Sequence, residues 1–416
     1  MHILLSRAAA FAIAIAIAAA SSPLLAGAAP LSFEAALDLA VQRSEAARSA
    51  RAGVAGAREM SRSAGQLPDP TLRLGLDNLP VTGSDGFHTA RDSMTMKRVG
   101  LSQEWLSRDK RAARQAAADA VVARESVQAR AAIADTRLQT ALAYLDAFYA
   151  GEALTLAKLT LHHAHEEQEA ARARLASASG SSAELLSLTG ARGMAEDESA
   201  DAMQQLSASK VALQRWVGVR ADELDAPAAM PAPAEATYAA NHPAVARLQG
   251  ETEVARQAAA VAASERRANW TWEVAYGQRT GYSDMLSSGV SIPLQVAPAD
   301  RQDRETAAKL ALVDKAEAEL GEATRAATAE YRALLGDATR LQERIARYRA
   351  GVITPAGQRS AVALAAYRSN QTTLTTLFEA RHAEVEAQRK LLMLQRDLAR
   401  TQAQLAFRPL ADGGAR

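Results

Sequence analysis

Past Ser107 the chain keeps a helical period for about 65 residues, and few architectures can house an element of that length. Leu138, Leu142, Leu145 and Tyr149 follow the spacing of one helical face. At a rise of about 1.5 Å per residue such a helix is about 100 Å long, far more than a compact domain can hold. The run breaks at 177–182, a Ser, Ala and Gly stretch that reads as a turn. A second helix then covers about 183–217 and ends at Gly218. Alanine dominates the sequence and only 4% of residues are aromatic, which suits helices packed closely side by side better than a compact α/β enzyme.

Two short stretches carry a different period. Before the long run, residues 32–66 read as one helix, and then Leu72, Leu74 and Leu76 alternate with Arg73, Gly75 and Asp77. After a loop rich in Gly, Ser and Asp, Val99, Leu101 and Trp105 share one face, with Arg98, Gly100, Ser102 and Glu104 on the other. These are strands with one apolar and one polar side.

The whole pattern then recurs. Residues 243–268 read as helix, Trp270, Trp272, Val274 and Tyr276 alternate with Thr271, Glu273, Ala275 and Gly277, and a second alternating stretch runs past Leu286 and Val290. Gly100-Leu101-Ser102 matches Gly289-Val290-Ser291 at an offset of 189, and the turn starting at Leu175 matches that starting at Tyr367 at an offset of 192. An internal repeat overrides readings made one element at a time. The expected division is a first repeat over 30–225, with a hairpin at about 69–106 and helices at about 107–175 and 183–217. A Pro-rich linker covers 226–242. The second repeat covers 243–407, with a hairpin at about 269–296 and helices at about 301–368 and 373–407, and 408–416 is a flexible tail. Each full-length helix is matched by two half-length helices laid end to end. The fold class is mainly α with a small β part: a rod of antiparallel helical hairpins, two β-hairpins at one end and two tight turns at the other.

Residues 1–29 read as a signal peptide: Arg7, an apolar run over 8–20, and Ala26-Gly27-Ala28-Ala29 as a cleavage site. A net charge of +1 offers no field for nucleic acid, and the absence of Cys excludes disulfides, thiolate metal sites and a lipidated N-terminal Cys. In an exported chain, strands of about 10 residues that alternate apolar with polar are the pattern of a transmembrane β-barrel. Four strands cannot close alone, and an open edge in lipid is not viable, so closure requires further copies of the chain. On this reading Arg73, Asp77, Arg98, Glu104, Glu273 and Arg279 face a wetted lumen. Trp105, Trp270 and Trp272 lie at the helix-proximal strand ends, where a membrane-interface belt sits.

With these residues in place the chain resembles the TolC-like outer-membrane factor family along its whole mature length. Residues 67–81 (LPDPTLRLGLDNLPV) and 94–114 (MTMKRVGLSQEWLSRDKRAAR) are most similar to its heavy-metal branch, the cobalt–zinc–cadmium and copper–silver exporters. The resemblance implies a homotrimer in outer-membrane lipid, with a twelve-stranded barrel continuous with a twelve-helix periplasmic tunnel. It also implies a periplasmic adaptor (membrane fusion protein) and an inner-membrane RND pump as partners. Family members often ring the closed tip with acidic residues. The matching positions here are Glu184 and Thr376, with Glu379 one turn further, and Thr376 departs from that pattern.

The His162-His163-Ala164-His165-Glu166-Glu167 cluster places His162 beside His165 and Glu166 on a helix, but no fourth ligand is visible. His88, Met94 and Met96 fall in the first loop. No nucleophile triad, phosphate loop or paired catalytic carboxylates stands out, so neither an enzyme nor a cofactor is expected. The alternatives are the same duct serving drug efflux or type I protein secretion, and a periplasmic coiled-coil adaptor or scaffold. The adaptor would need a lipoyl-like β-domain, and the scaffold would lack amphipathic hairpins with aromatic ends.

Overall fold

Ser107 starts the element that sets the length of the molecule. In the computed structural model, which describes residues 30–411, its Oγ accepts from Lys110 N at 3.3 Å and caps a helix of 69 residues. The expected signal peptide lies outside the described residues. The elements, in chain order, are α1 (Phe33–Arg43), α2 (Glu45–Ala64), β1 (Thr71–Asp77), β2 (Met96–Trp105), α3 (Arg108–Ala176), α4 (Ser182–Val217), α5 (Glu235–Ala240) and α6 (Pro243–Ser264). They continue with β3 (Trp270–Gln278), β4 (Met285–Ser291), α7 (Gln302–Tyr348), α8 (Thr354–Arg368) and α9 (Leu374–Phe407).

The two tip turns are the same structure twice. Ala178 and Asn370 both adopt positive φ, at 56° and 57°. Ser179 N donates to Arg174 O at 2.9 Å, and Gln371 N donates to Ala366 O at 2.8 Å. Ala178 N to Leu175 O and Asn370 N to Tyr367 O repeat at 3.0 Å. These paired bonds close a helix C-terminus on its last free carbonyls, and each pair is separated by the offset of 192 seen in the sequence. At the other end of α4, Gly218 holds φ at 74°, and a Cβ there would lie 2.1 Å from Arg43 Nε, so the position requires glycine.

Four differences from the sequence reading have local causes. The first helix is two, because Ser44 leaves helical geometry to cap α2 through Ala47 N at 3.1 Å and to bond Thr136 Oγ1 of α3 at 3.0 Å. The helix read as 301–368 contains a π turn over Arg349–Ile353. Pro355 lacks an N–H and its ring crowds the carbonyl of Gly351, so one residue is looped out and Thr354 bonds back to Arg349 O instead. The linker contains α5, whose Tyr238 is buried against Tyr331 and Leu405. The tail is docked as far as it is described: Leu410 is buried, and its N–H donates to Asn241 O at 2.8 Å.

The sheet is antiparallel throughout, in the order β1-β2-β3-β4, so β2 and β3 join the hairpins of the two repeats. Its end next to the helices leads into α3 and α6. Halfway along the rod the main core gathers Phe33, Leu37, Leu145, Leu213, Val217 and Ala403 around Tyr144. The Tyr144 hydroxyl donates to Leu31 O at 2.6 Å and lies 2.8 Å from Asp225 O, which ties the start of the first repeat to its end. Among the described residues no helix is long and apolar enough to cross a membrane.

Candidate functional site: the sheet, its junction with the helices, and the tip

Strand register sorts the sheet into two faces. Leu72 opposes Leu101 and Leu101 opposes Val274; Leu74 opposes Val99 and Val99 opposes Tyr276. These side chains form an exposed apolar face that continues through Leu286 and Val290. Trp105 and Trp270 oppose each other at the helix-proximal end with ring centroids 5.9 Å apart, and Trp272 follows on the same face opposite Val290. The other face carries Arg98 between two carboxylates, 3.4 Å from Asp77 and 2.9 Å from Glu273, with Arg73 3.5 Å from Glu273. These four charges therefore balance, two positive against two negative.

Two of the expected wetted-face charges serve elsewhere. Arg279 lies past the end of β3, where its Nε donates to Ser283 O at 2.8 Å and its NH1 to Ser93 O at 3.3 Å, clasping one loop to the other. Glu104 points into the junction between sheet and helices, accepting from Asn269 Nδ2 at 2.8 Å. Asn269 Oδ1 in turn accepts from Lys110 Nζ at 2.8 Å, and Lys110 also donates to Glu265 at 2.7 Å. Arg114 reaches the second Glu265 oxygen at 3.0 Å. Lys110 is 2% exposed, so this cation is desolvated and held only by the network. Burial alone would raise the Glu265 carboxyl, but the bonds from Lys110 and Arg114 outweigh it and hold it below the usual range. The network joins the starts of α3 and β3 to the ends of β2 and α6, and thus one repeat to the other. Sequence reasoning missed it because Lys110 sits in a run of charges, RDKRAAR, that looks like an ordinary solvated face.

At the tip, Ser181 Oγ accepts from Glu184 N at 3.1 Å, and Thr373 Oγ1 accepts from Thr376 N at 3.2 Å, so Glu184 and Thr376 occupy matching positions. The Glu184 side chain is 14% exposed and folds back to Arg174 of its own hairpin at 3.8 Å. Thr376 bonds Thr373, and Glu379 is exposed and unpaired among the described residues. The histidines do not converge: His162 and His165 face outward, with His162 3.4 Å from Glu166, while His163 turns inward against α9. No group of three or more His, Cys, Asp or Glu among the described residues is arranged to hold a metal ion. In the first loop His88 and Met94 are exposed, whereas Met96 lies in β2 against Gly277.

Neighbour contacts give one order at each level. The sheet half runs α2-α3-α6-α7 and the tip half runs α4-α3-α9-α8. At every level four elements stand side by side, with the outer edge belonging to the first repeat on one flank (β1, α2, α4) and to the second repeat on the other (β4, α7, α8). Large exposed apolar side chains collect on these outer helices: Met60, Leu186, Met194 and Val211 on one flank, Leu310, Leu312 and Val362 on the other.

This arrangement has known counterparts among solved structures. The outer membrane protein VceC of Vibrio cholerae aligns over 91% of this chain and 97% of its own, with 18% identity and a TM-score of 0.75. The chain has the fold of an outer-membrane channel protomer. CusC, whose structures describe transmembrane channel formation, aligns over 90% of each chain at 15% identity and a TM-score of 0.74. The CmeC outer membrane channel of Campylobacter jejuni covers 91% of this chain and 87% of its own, at 13% identity and a TM-score of 0.74. No family model and no curated protein matches the sequence.

Proposed function

We propose that the chain is the outer-membrane exit duct of a tripartite efflux system, a passive homotrimeric conduit that performs no bond-making chemistry. The observation that carries this reading is the pair of open flanks present at every level. Joining the first-repeat flank of one copy to the second-repeat flank of the next is a heterologous contact, which closes only as a ring. Three copies give twelve strands, enough to leave a channel, whereas two give eight and a filled interior. The ring buries the exposed apolar side chains of α2, α4, α7 and α8 and removes both sheet edges, as lipid requires. The apolar face with Trp105, Trp270 and Trp272 then meets outer-membrane lipid, and the face with Arg73, Asp77, Arg98 and Glu273 lines the lumen. The helices reach about 100 Å into the periplasm, where an adaptor docks and an RND pump delivers cargo. Fractionation of the mature protein tests this directly. Recovery as a detergent-stable trimer in outer membranes is expected, and recovery as a soluble periplasmic monomer overturns it.

For cargo we infer heavy-metal cations, on the likeness of residues 67–81 and 94–114 to the metal-exporting branch. The matched charges of the polar face leave the lumen close to neutral at that level, so cargo choice rests with the pump. Deleting the gene should sensitise cells to divalent or monovalent soft metals more than to lipophilic drugs. The reverse pattern assigns the duct to drug efflux.

A further inference from the structure

Nine residues before α3 ends, about 14 Å from the tip turn, a carboxylate is buried between the two repeats. Glu167 is 2% exposed; its Oε1 accepts from Arg381 of α9 at 3.2 Å, and its Oε2 has no partner. One helical turn earlier His163 also faces α9, and its Nδ1 has no partner either. Both groups line one small cavity between α3 and α9, shared with Thr160, Phe378 and His382. A carboxylate oxygen and an imidazole nitrogen thus line the same small cavity, each without a hydrogen-bond partner among the described residues. The other charged groups nearby are His162 and Glu166 on the outer side of α3, and Arg381, His382 and Glu384 on α9. From α4, Arg192 donates to Gln168 at 2.9 Å beside the site. Arg381 also lies 3.5 Å from the solvated Glu166, so it keeps a counter-charge when Glu167 is neutral.

We propose that Glu167 and His163 form a proton-operated latch that fastens α9 to α3 beside the tip, tight while both are neutral and loosened when either is charged. Burial pushes the Glu167 carboxyl up to about 7 despite the pull of Arg381, and burial also lowers the His163 imidazole. The signs follow from linkage. The docked state binds the Glu167 proton more tightly than a solvated carboxyl does, so docking weakens as pH rises through about 7. The docked state binds the His163 proton less tightly, so docking also weakens as pH falls below the ordinary imidazole value of 6.5. Docking therefore strengthens as pH falls from 8.5 to about 6.5, and below that the two limbs oppose each other and the curve flattens. From pH 6.5 to 8.5 the Glu167 limb alone lowers the docked-to-separated ratio by about fourfold. The latch is read within one protomer. Its role at an aperture rests on the duct reading.

The native chain lacks cysteine, so nitroxides attach only where Arg172→Cys on α3 and Glu379→Cys on α9 place them, both exposed positions. Electron–electron distances are measured on the full-length protein from pH 5 to 8.5, diluted with unlabelled chains to isolate the contact within one protomer. The short-distance population should rise as pH falls from 8.5 to about 6.5 and change little from there to pH 5. Glu167→Gln should abolish the alkaline decline and expose a loss of docking below pH 6.5, whereas His163→Gln should let docking keep rising below pH 6.5. Glu167→Met gives the same test where the Gln variant fails to assemble, since an apolar side chain of similar size suits a buried site. A flat wild-type profile, or an alkaline decline that survives both Glu167 variants, overturns the latch. Because the readout is a distance and not a conductance, its failure is separate from a failure of the duct reading, which fractionation decides.

Discussion

Replacing Lys110 by Met removes the only fully desolvated cation at the junction of sheet and helices. Its 2% exposure means that water does not compensate for the lost partner bonds. Two acceptors lose a donor: Asn269 Oδ1, bonded at 2.8 Å, and one Glu265 oxygen, bonded at 2.7 Å. Breaking a buried pair costs about 3–5 kcal/mol when the stranded charge is fully buried. Glu265 is 35% exposed and keeps Arg114, which places the expected loss lower, at about 2–3 kcal/mol. Thermal unfolding of the purified protein, followed by circular dichroism, should show a Tm lower by a few degrees. Pairing Lys110→Met with Glu265→Gln should recover about 1 kcal/mol or more, because the second change removes the stranded charge. The pH dependence supplies a further check. The Glu265 carboxyl is held below its ordinary value of 4.5, so the pair stabilises above that value and the contribution fades as pH falls through the lower, folded-state value. The cost of Lys110→Met should therefore be full at pH 7 and shrink in acid below about pH 4. Strictly additive effects of the two substitutions, or a penalty that does not shrink in acid, would refute the assignment of this network as an electrostatic joint.

Other outcomes are expected from the same geometry. Arg98→Ala strips the shared cation from Asp77 and Glu273, and single-channel recordings should show the cation-to-anion permeability ratio rising by about twofold or more; an unchanged ratio would place that face away from the conduction path. Gly218→Ala forces a Cβ into left-handed backbone and against Arg43, which should cost about 1–2 kcal/mol and lower the Tm measured by circular dichroism. At the tip, Glu379→Gln should alter cation selectivity more than Glu184→Gln, because Glu184 is already paired with Arg174 whereas Glu379 is exposed; the opposite ranking would show that Glu184 turns inward in the assembled ring.

Much of the architecture was legible in the residues because it is written in short-range terms. A period of 3.6 against a period of 2 separates the helices from Leu72-Leu74-Leu76 and Val99-Leu101, and the strands fall where that alternation lies. The equivalence of Ala178 and Asn370 likewise depends on a few neighbouring residues that must close a helix end. The break at Pro355 is equally local, since a proline inside a helical pattern removes a bond and crowds the turn before it, yet the reading of 301–368 as one helix passed over it. What tertiary structure alone decided is which charges are solvated. Arg73, Asp77 and Arg98 stayed on the polar face, but Arg279 became a loop clasp and Glu104 a member of the junction. Lys110, Glu167 and His163 sit in helical runs whose composition matches an exposed face. The reason is one of range: a helix or a turn is specified within a handful of residues, whereas Lys110 meets its partner Glu265 from 155 positions away, and Glu167 its partner Arg381 from 214 positions away, so their burial and pairing exist only once the two repeats have packed.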